Sequence, residues 1–268
     1  MLDATGDGNS VDIHQFSDID AAADPRHFIA FLERVEQLPW LQTMREESFA
    51  RLGLAAGQAM IEVGCGPGTA VDLLRQRGIA AVGVDASRSM VEHARLKVPQ
   101  AEFCQAAAAS LPFPDHSQDG YRAERVYEHL HDPLAALREA RRVLRPGGRI
   151  ALLDMDYELW AVDADDVRLT SAFKQAMAGT VASPLIGRRF YALMRDVGFA
   201  DVHVTVHTHI LTDYPQAEPM LEAAAKAAVT AGMATPSQVD AWLKEQAARA
   251  AAGRLCLVLP LFLASASA

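Results

Sequence analysis

Between residues 24 and 52 the apolar positions keep a helical period, with Phe28, Phe31, Leu32 and Val35 on one face. Asp24 followed by Pro25 reads as a cap and first turn, and Pro39 predicts a break into two helices. From residue 59 short apolar runs alternate with amphipathic stretches. Strands are predicted at 59–63, 79–84, 101–104, 119–123 and 149–155. Helices are predicted between them at 69–77, 87–97 and 132–144, stopped by Gly78, by Pro99 and by Pro146-Gly147-Gly148. After residue 156 helices are predicted at 165–182 and 188–197, then an alternating strand at 202–211. Two alanine-rich helices, 216–231 and 237–252, and a last strand at 255–263 complete the chain.

This order implies an α/β fold with a doubly wound, mostly parallel sheet. Ligands of such sheets bind where the strands end at their carboxyl edge, so the residues that follow Val63, Val84, Cys104, Ala123 and Met155 are the ones to inspect. The helices between the last two strands read as an insertion that roofs this crevice.

Composition narrows the partners. Half of the 268 residues are hydrophobic, enough for a sizeable core, and 34 acidic residues against 25 basic ones give a net charge of −9. That balance argues against nucleic acid or an anionic membrane as partner; it does not set the oligomeric state, for which monomer and homodimer both stay open. Cys65, Cys104 and Cys256 form no metal spacing and read as reduced thiols of a cytoplasmic protein. The polar first residues lack the pattern of a signal peptide. The apolar run at 255–264 is shorter than the roughly 18 residues a membrane helix needs.

The chemistry-bearing signal is Glu62-Val63-Gly64-Cys65-Gly66-Pro67-Gly68, between a strand and a helix. Glycines at alternate positions let the backbone turn tightly and approach a ligand. The spacing differs from that of a dinucleotide loop, and Glu62 stands where a carboxylate can meet a ligand ammonium. Asp85 ends the second strand, where it can accept from both ribose hydroxyls or simply cap the helix that follows.

These residues resemble the first motif of class I S-adenosylmethionine-dependent methyltransferases. Val82-Gly83-Val84-Asp85-Ala86-Ser87 with Met90 and Ala94, Leu111-Pro112-Phe113-Pro114-Asp115, and Arg142-Val143-Leu144-Arg145-Pro146-Gly147-Gly148 resemble its later signatures. Phe16-Ser17-Asp18-Ile19-Asp20, Asp24-Pro25, Glu124-Arg125-Val126, His129 and Ile186-Gly187-Arg188-Arg189 resemble, more narrowly, small-molecule methyltransferases of bacterial natural-product pathways. The resemblance implies a seven-stranded, Rossmann-like methyltransferase fold with N-terminal helices and a helical lid insertion. It implies one domain over 16–268, with a cap at 16–57, a cofactor core at 58–156, and lid plus last strands at 157–268.

It implies S-adenosyl-L-methionine as cofactor and S-adenosyl-L-homocysteine as product. Glu62 would hold the methionine amino group, Gly64, Gly66 and Gly68 would shape the pocket, and Asp85 would bind the ribose. Ala86 and Met90 would flank the adenine, with Leu111 below it and Glu124 completing the cofactor set. The family's usual Gly-Asp pair is here Ala106-Ala107. A carboxylate that accepts from the adenine amine is therefore missing, and the backbone around Ala107 and Ala108 is left to meet the adenine edge.

For the reaction, His129 is the candidate base, or else a packing residue of a helical turn. Arg125 would clamp an acidic acceptor, or else pair with Glu124 or Glu128. Tyr157, next to Asp156, would orient the nucleophile. Arg188 and Arg189 would recognise an acidic acceptor, or else lie on a solvated surface. Trp40 would line the entrance. His203 and His207 read as the solvent side of a strand, and no metal site is expected. Two other functions fit the same residues: a nicotinamide-dependent oxidoreductase, and a cofactor-binding member of this fold that does other chemistry or none.

Overall fold

The computed structural model describes residue 20 and residues 25–268. Residues 16–19 and Asp24, part of the family motif and of the suggested helix cap, lie outside the described residues. Two helices come first, α1 (Pro25–Val35) and α2 (Pro39–Leu52). Pro39 sits in the first turn of α2, where a missing N–H costs no helical bond, and Gly53 ends that helix with its N–H on the Phe49 carbonyl at 3.3 Å.

The alternation follows as β1 (Ala59–Val63), α3 (Thr69–Gln76), β2 (Ala80–Asp85), α4 (Arg88–Lys97), β3 (Glu102–Gln105), β4 (Gln118–Glu124), α5 (Pro133–Val143) and β5 (Leu144–Met155). A 3-10 turn at Tyr127–His129 leads out of β4. The second half holds β6 (Ala161–Val162), α6 (Val167–Ala178), α7 (Ile186–Val197), β7 (Ala200–Leu211), α8 (Tyr214–Thr230), α9 (Pro236–Ala251) and β8 (Leu257–Ser267).

The sheet runs β3-β2-β1-β4-β5-β8-β6, with β7 also bonded to β8. The first five strands are parallel, and β8 is antiparallel to β5, β6 and β7. The seven expected strands are present, and the two-residue β6 is an addition to them. β5 also starts five residues earlier than expected, because Pro146-Gly147-Gly148 does not end the pairing. Leu144 pairs with Gln118 across a register shift, and the chain end closes over the glycines through Gly147 N–H to Ala268 O and Ala268 N–H to Gly148 O.

β1 lies at the centre of the parallel half, between β2 and β4. Met60 and Ile61 are fully buried, and each such side chain contributes about 1.5–3 kcal/mol to folding. Glu62 lies in the same buried run, so its charge must be answered by partners. Between α6 and α9, Phe173 meets Trp242 edge-on at 4.8 Å, and the Trp242 indole N–H donates to Thr170 Oγ1 at 3.0 Å. Among the described residues no helix is long and apolar enough to cross a membrane.

Candidate active site

The turn after β1 is built for close approach. Gly64 has a φ of 64°, and a Cβ there would fall 2.2 Å from Val126 Cγ2, so a side chain is excluded by both conformation and space. The loop is tied to β2 by Cys65 N–H on Val84 O at 3.0 Å. Asp85, at the tip of β2, accepts from Gly66 N–H at 3.0 Å and from Ser87 N–H at 2.9 Å. Burial pushes the Asp85 carboxyl upward, against the pull of those amides. Each of its oxygens keeps a lone pair for a further donor.

Behind the loop lies a buried charge network. Arg122, fully buried on β4, pairs with Glu62 and Glu124 and donates to Ser48 Oγ at 2.6 Å. Arg45, on α2, donates to Glu124 at 3.1 and 3.2 Å and lies 3.8 Å from Glu36. Glu36 in turn accepts from Thr69 Oγ1 at 2.7 Å, at the start of α3. Burial opposes the charge of Glu124, but Arg122 and Arg45 outweigh it and hold its carboxyl at about 2. For Glu62 burial wins over Arg122, and its carboxyl is raised. Glu62 Oε2 is buried without a hydrogen-bond partner among the described residues.

A cavity of about 300 Å³ runs along the carboxyl edge of the sheet. Glu62, Gly64, Gly66, Asp85, Ala86, Met90, Ala108 and Glu124 line it, as do Arg125, His129 and Tyr157. Gly68, Ala107 and Leu111 do not. Gly68 lies beneath, where a Cβ would sit 2.9 Å from the Phe103 ring, so it serves the packing of α3 on the sheet. Ala107 is exposed beside the lining residues Ala106 and Ala108, and Leu111 is buried behind the wall.

Past β4, Arg125 has a φ of 55°, a strained conformation for a side-chain-bearing residue that costs on the order of 1–3 kcal/mol. Its N–H bonds Leu153 O at 2.7 Å, and its Nε is buried without a partner among the described residues. His129 Nε2 lies 3.4 Å from Glu128 Oε1. Burial would raise the Glu128 carboxyl, yet His129, Arg125 and the Tyr157 hydroxyl together hold it below the usual range. The Tyr157 hydroxyl, buried beside that carboxylate, is pushed well above its ordinary value.

Arg188 and Arg189 do not border the cavity. Arg188 is bound to Asp156 through two hydrogen bonds, one of 2.7 Å, and lies 3.2 Å from Glu158. The pair leaves neither Arg188 free for an acidic acceptor nor Asp156 facing the crevice. His207 pairs with Glu47 at 3.2 Å, and among the described residues no three His, Cys, Asp or Glu side chains gather as a metal site.

The roof comes from α1, α2 and α8. Phe31, Leu32, Val35, Leu38, Trp40 and Leu41 contribute from the N-terminal side. Gln216, Pro219, Met220 and Ala223 contribute from α8, at the spacing of one helix face. The 156–195 segment adds Tyr157 and Met177. The sequence places the helices between the last two strands over the crevice, and α8, one of them, does line the cavity. Glu128 is the lining residue that the sequence offers only as an ion-pair partner.

Comparisons with known proteins agree with this architecture. Residues 61–152 match a family model described as a methyltransferase domain. An uncharacterized 37.1 kDa protein in a transposon of Streptomyces fradiae is 30% identical over 229 residues, covering 82% of this chain and 66% of that protein. An O-methyltransferase of Aspergillus sclerotiorum is 37% identical over 121 residues, covering 42% of this chain and 46% of the relative. The chain thus spans less than two thirds of the length of these two relatives. Among solved structures, a Haemonchus contortus phosphoethanolamine N-methyltransferase in complex with S-adenosyl-L-methionine superposes with a TM-score of 0.62 at 16% identity, covering 96% of this chain and 60% of the other. At that identity the likeness shows the fold.

Proposed function

The chain belongs to the class I S-adenosylmethionine-dependent methyltransferases, and from that premise we propose that it transfers the cofactor's methyl group to a small-molecule acceptor, an intermediate of secondary metabolism. The observation that carries the reading is Glu62 Oε2, a buried carboxylate oxygen without a donor among the described residues, beside a glycine turn and within one cavity with Asp85. An unanswered buried acceptor is costly, and a ligand ammonium is the group that would answer it.

The residues fit S-adenosylmethionine. Glu62 would hold its amino group, the Gly64 and Gly66 backbone would accept its methionine part, Asp85 would take the ribose hydroxyls, and Ala86, Met90 and Ala108 would enclose the adenine. The cofactor supplies an electrophilic methyl carbon on a sulfonium. The chain's own task is to bring the acceptor in line with that carbon, to exclude water and to receive a proton. The aromatic and aliphatic roof serves exclusion, and His129, Tyr157 and Arg125 are the groups placed to orient the acceptor and take its proton.

A second reading retains a specific observation. Ala107 leaves the adenine amine without the family's usual acceptor, which suits a protein that holds the cofactor without turning it over. Incubation with S-adenosylmethionine and a set of pathway metabolites bearing hydroxyl, amine or thiol groups separates the two. Release of S-adenosylhomocysteine that depends on one acceptor supports transfer. Tight cofactor binding with no turnover on any acceptor supports the second reading.

A further inference from the structure

Two carboxylate oxygens that line the cavity are buried without hydrogen-bond partners among the described residues: Glu62 Oε2 and Glu128 Oε2. The first is explained by the cofactor's ammonium. The second lies beyond β4, where Glu128 is 4% exposed and shares the wall with Arg125, His129 and Tyr157. A buried carboxylate oxygen with no donor loses its hydration and gains nothing in return. Glu128 Oε1 already faces His129, the Tyr157 hydroxyl lies beside the carboxylate, and the Glu128 backbone N–H is engaged by Asp154 Oδ1 at 3.3 Å, yet none of these gives Oε2 a hydrogen bond.

We infer that Glu128 is the group that recognises the acceptor, and that the acceptor is an uncharged apolar scaffold bearing a hydroxyl, which donates its hydrogen bond to Glu128 Oε2. This rests on the reading of the site as a methyltransferase pocket. The scaffold follows from the wall, where Phe31, Leu38, Trp40, Met177, Met220 and Leu259 offer only apolar surface and aromatic faces apart from the Trp40 indole N–H. The lack of charge follows from Arg125. Its guanidinium lines the same stretch of the cavity as the Glu128 carboxylate, so the two charges offset one another there and an ammonium would meet the guanidinium as well as the carboxylate.

The step balances. As the acceptor oxygen bonds the methyl carbon, the carbon–sulfur bond breaks with its electron pair going to sulfur, and the hydroxyl proton passes to Glu128. His129, 3.4 Å from the other carboxylate oxygen, is placed to receive that proton onward.

The test uses the full chain saturated with S-adenosylhomocysteine and three probe pairs: β-naphthol, menthol and cyclododecanol, each with its methyl ether. Binding is read by calorimetry on wild type, Glu128→Gln and Glu128→Leu. For at least one pair, wild type should prefer the alcohol by about tenfold or more, as a hydrogen bond to a charged group provides. Glu128→Leu should bring that preference within about twofold, with S-adenosylhomocysteine affinity unchanged. Glu128→Gln, which keeps an amide acceptor, should fall between. With S-adenosylhomocysteine bound, three results each overturn the inference: no alcohol preference in wild type, no probe binding at all, or a preference that survives Glu128→Leu. Failure of S-adenosylhomocysteine itself to bind would instead overturn the methyltransferase reading beneath it.

Discussion

Arg45 on α2 reaches Glu124 at the tip of β4 with hydrogen bonds of 3.1 and 3.2 Å, so an N-terminal helix is fastened to the strand edge where the cavity lies. Both side chains are almost wholly buried, at 3% and 7% exposure. Arg45→Ala should destabilise the fold by about 3–5 kcal/mol, because it leaves a buried carboxylate one cation short. Urea unfolding measures this directly. A loss below about 1 kcal/mol would mean that Arg122 alone satisfies Glu124.

The same network sets an acid limit. The Glu124 carboxyl ionises at about 2 in the folded protein against an ordinary 4.5. Its lowered value contributes stability that is present in full above pH 4.5 and is lost as pH falls toward about 2. The stability difference between wild type and Glu124→Gln should therefore be constant near neutrality and shrink below pH 4.5. Unfolding series across that range decide it, and a difference that does not change with pH contradicts the assignment.

Much of the cofactor side was legible because its signals are local. The glycine turn with Glu62, and Asp85 at the end of the next strand, are short motifs that can each be read without knowing their partners, and strand-to-helix periodicity places them at one edge of the sheet. The Arg122 network was not legible. An arginine within Gln118-Asp119-Gly120-Tyr121-Arg122 reads as a weak, half-exposed strand, and only the pairing of β4 between β1 and β5 buries it. Its partners Ser48 and Glu62 lie 74 and 60 residues away, a separation that no local pattern encodes. The two-residue β6 likewise exists through Val258 and Leu257 on β8 and not through its own propensity.

Glu62→Ala and Asp85→Ala should each weaken S-adenosylhomocysteine binding by about tenfold or more, since each removes hydrogen bonds to a charged group. Lys244→Ala, on the exposed face of α9, is the control and should change nothing. Titration calorimetry on the folded variants reads all three. Unchanged affinity in both site variants would move the cofactor elsewhere.

Ala107→Asp should tighten cofactor binding by roughly 1 kcal/mol, the value of one restored hydrogen bond. Ala107 is exposed, with its carbonyl held by Ser110 N–H at 3.0 Å, so the added carboxylate meets no steric penalty from a packed core. If the variant folds normally and binds no better, the adenine amine is already satisfied by the backbone near Ala108.

His129→Ala should lower turnover far more than it lowers cofactor affinity, because the role proposed for His129 is on the acceptor side. Steady-state release of S-adenosylhomocysteine beside calorimetric affinity separates the two quantities. Wild-type turnover would leave proton transfer to Glu128 or solvent.

If the crevice between the glycine turn and Asp85 holds S-adenosylmethionine or its product, titration of S-adenosylhomocysteine into the purified chain will reveal it. Saturable one-to-one binding that Glu62→Ala weakens is the predicted result, and no heat of binding at millimolar ligand with folded protein would contradict it.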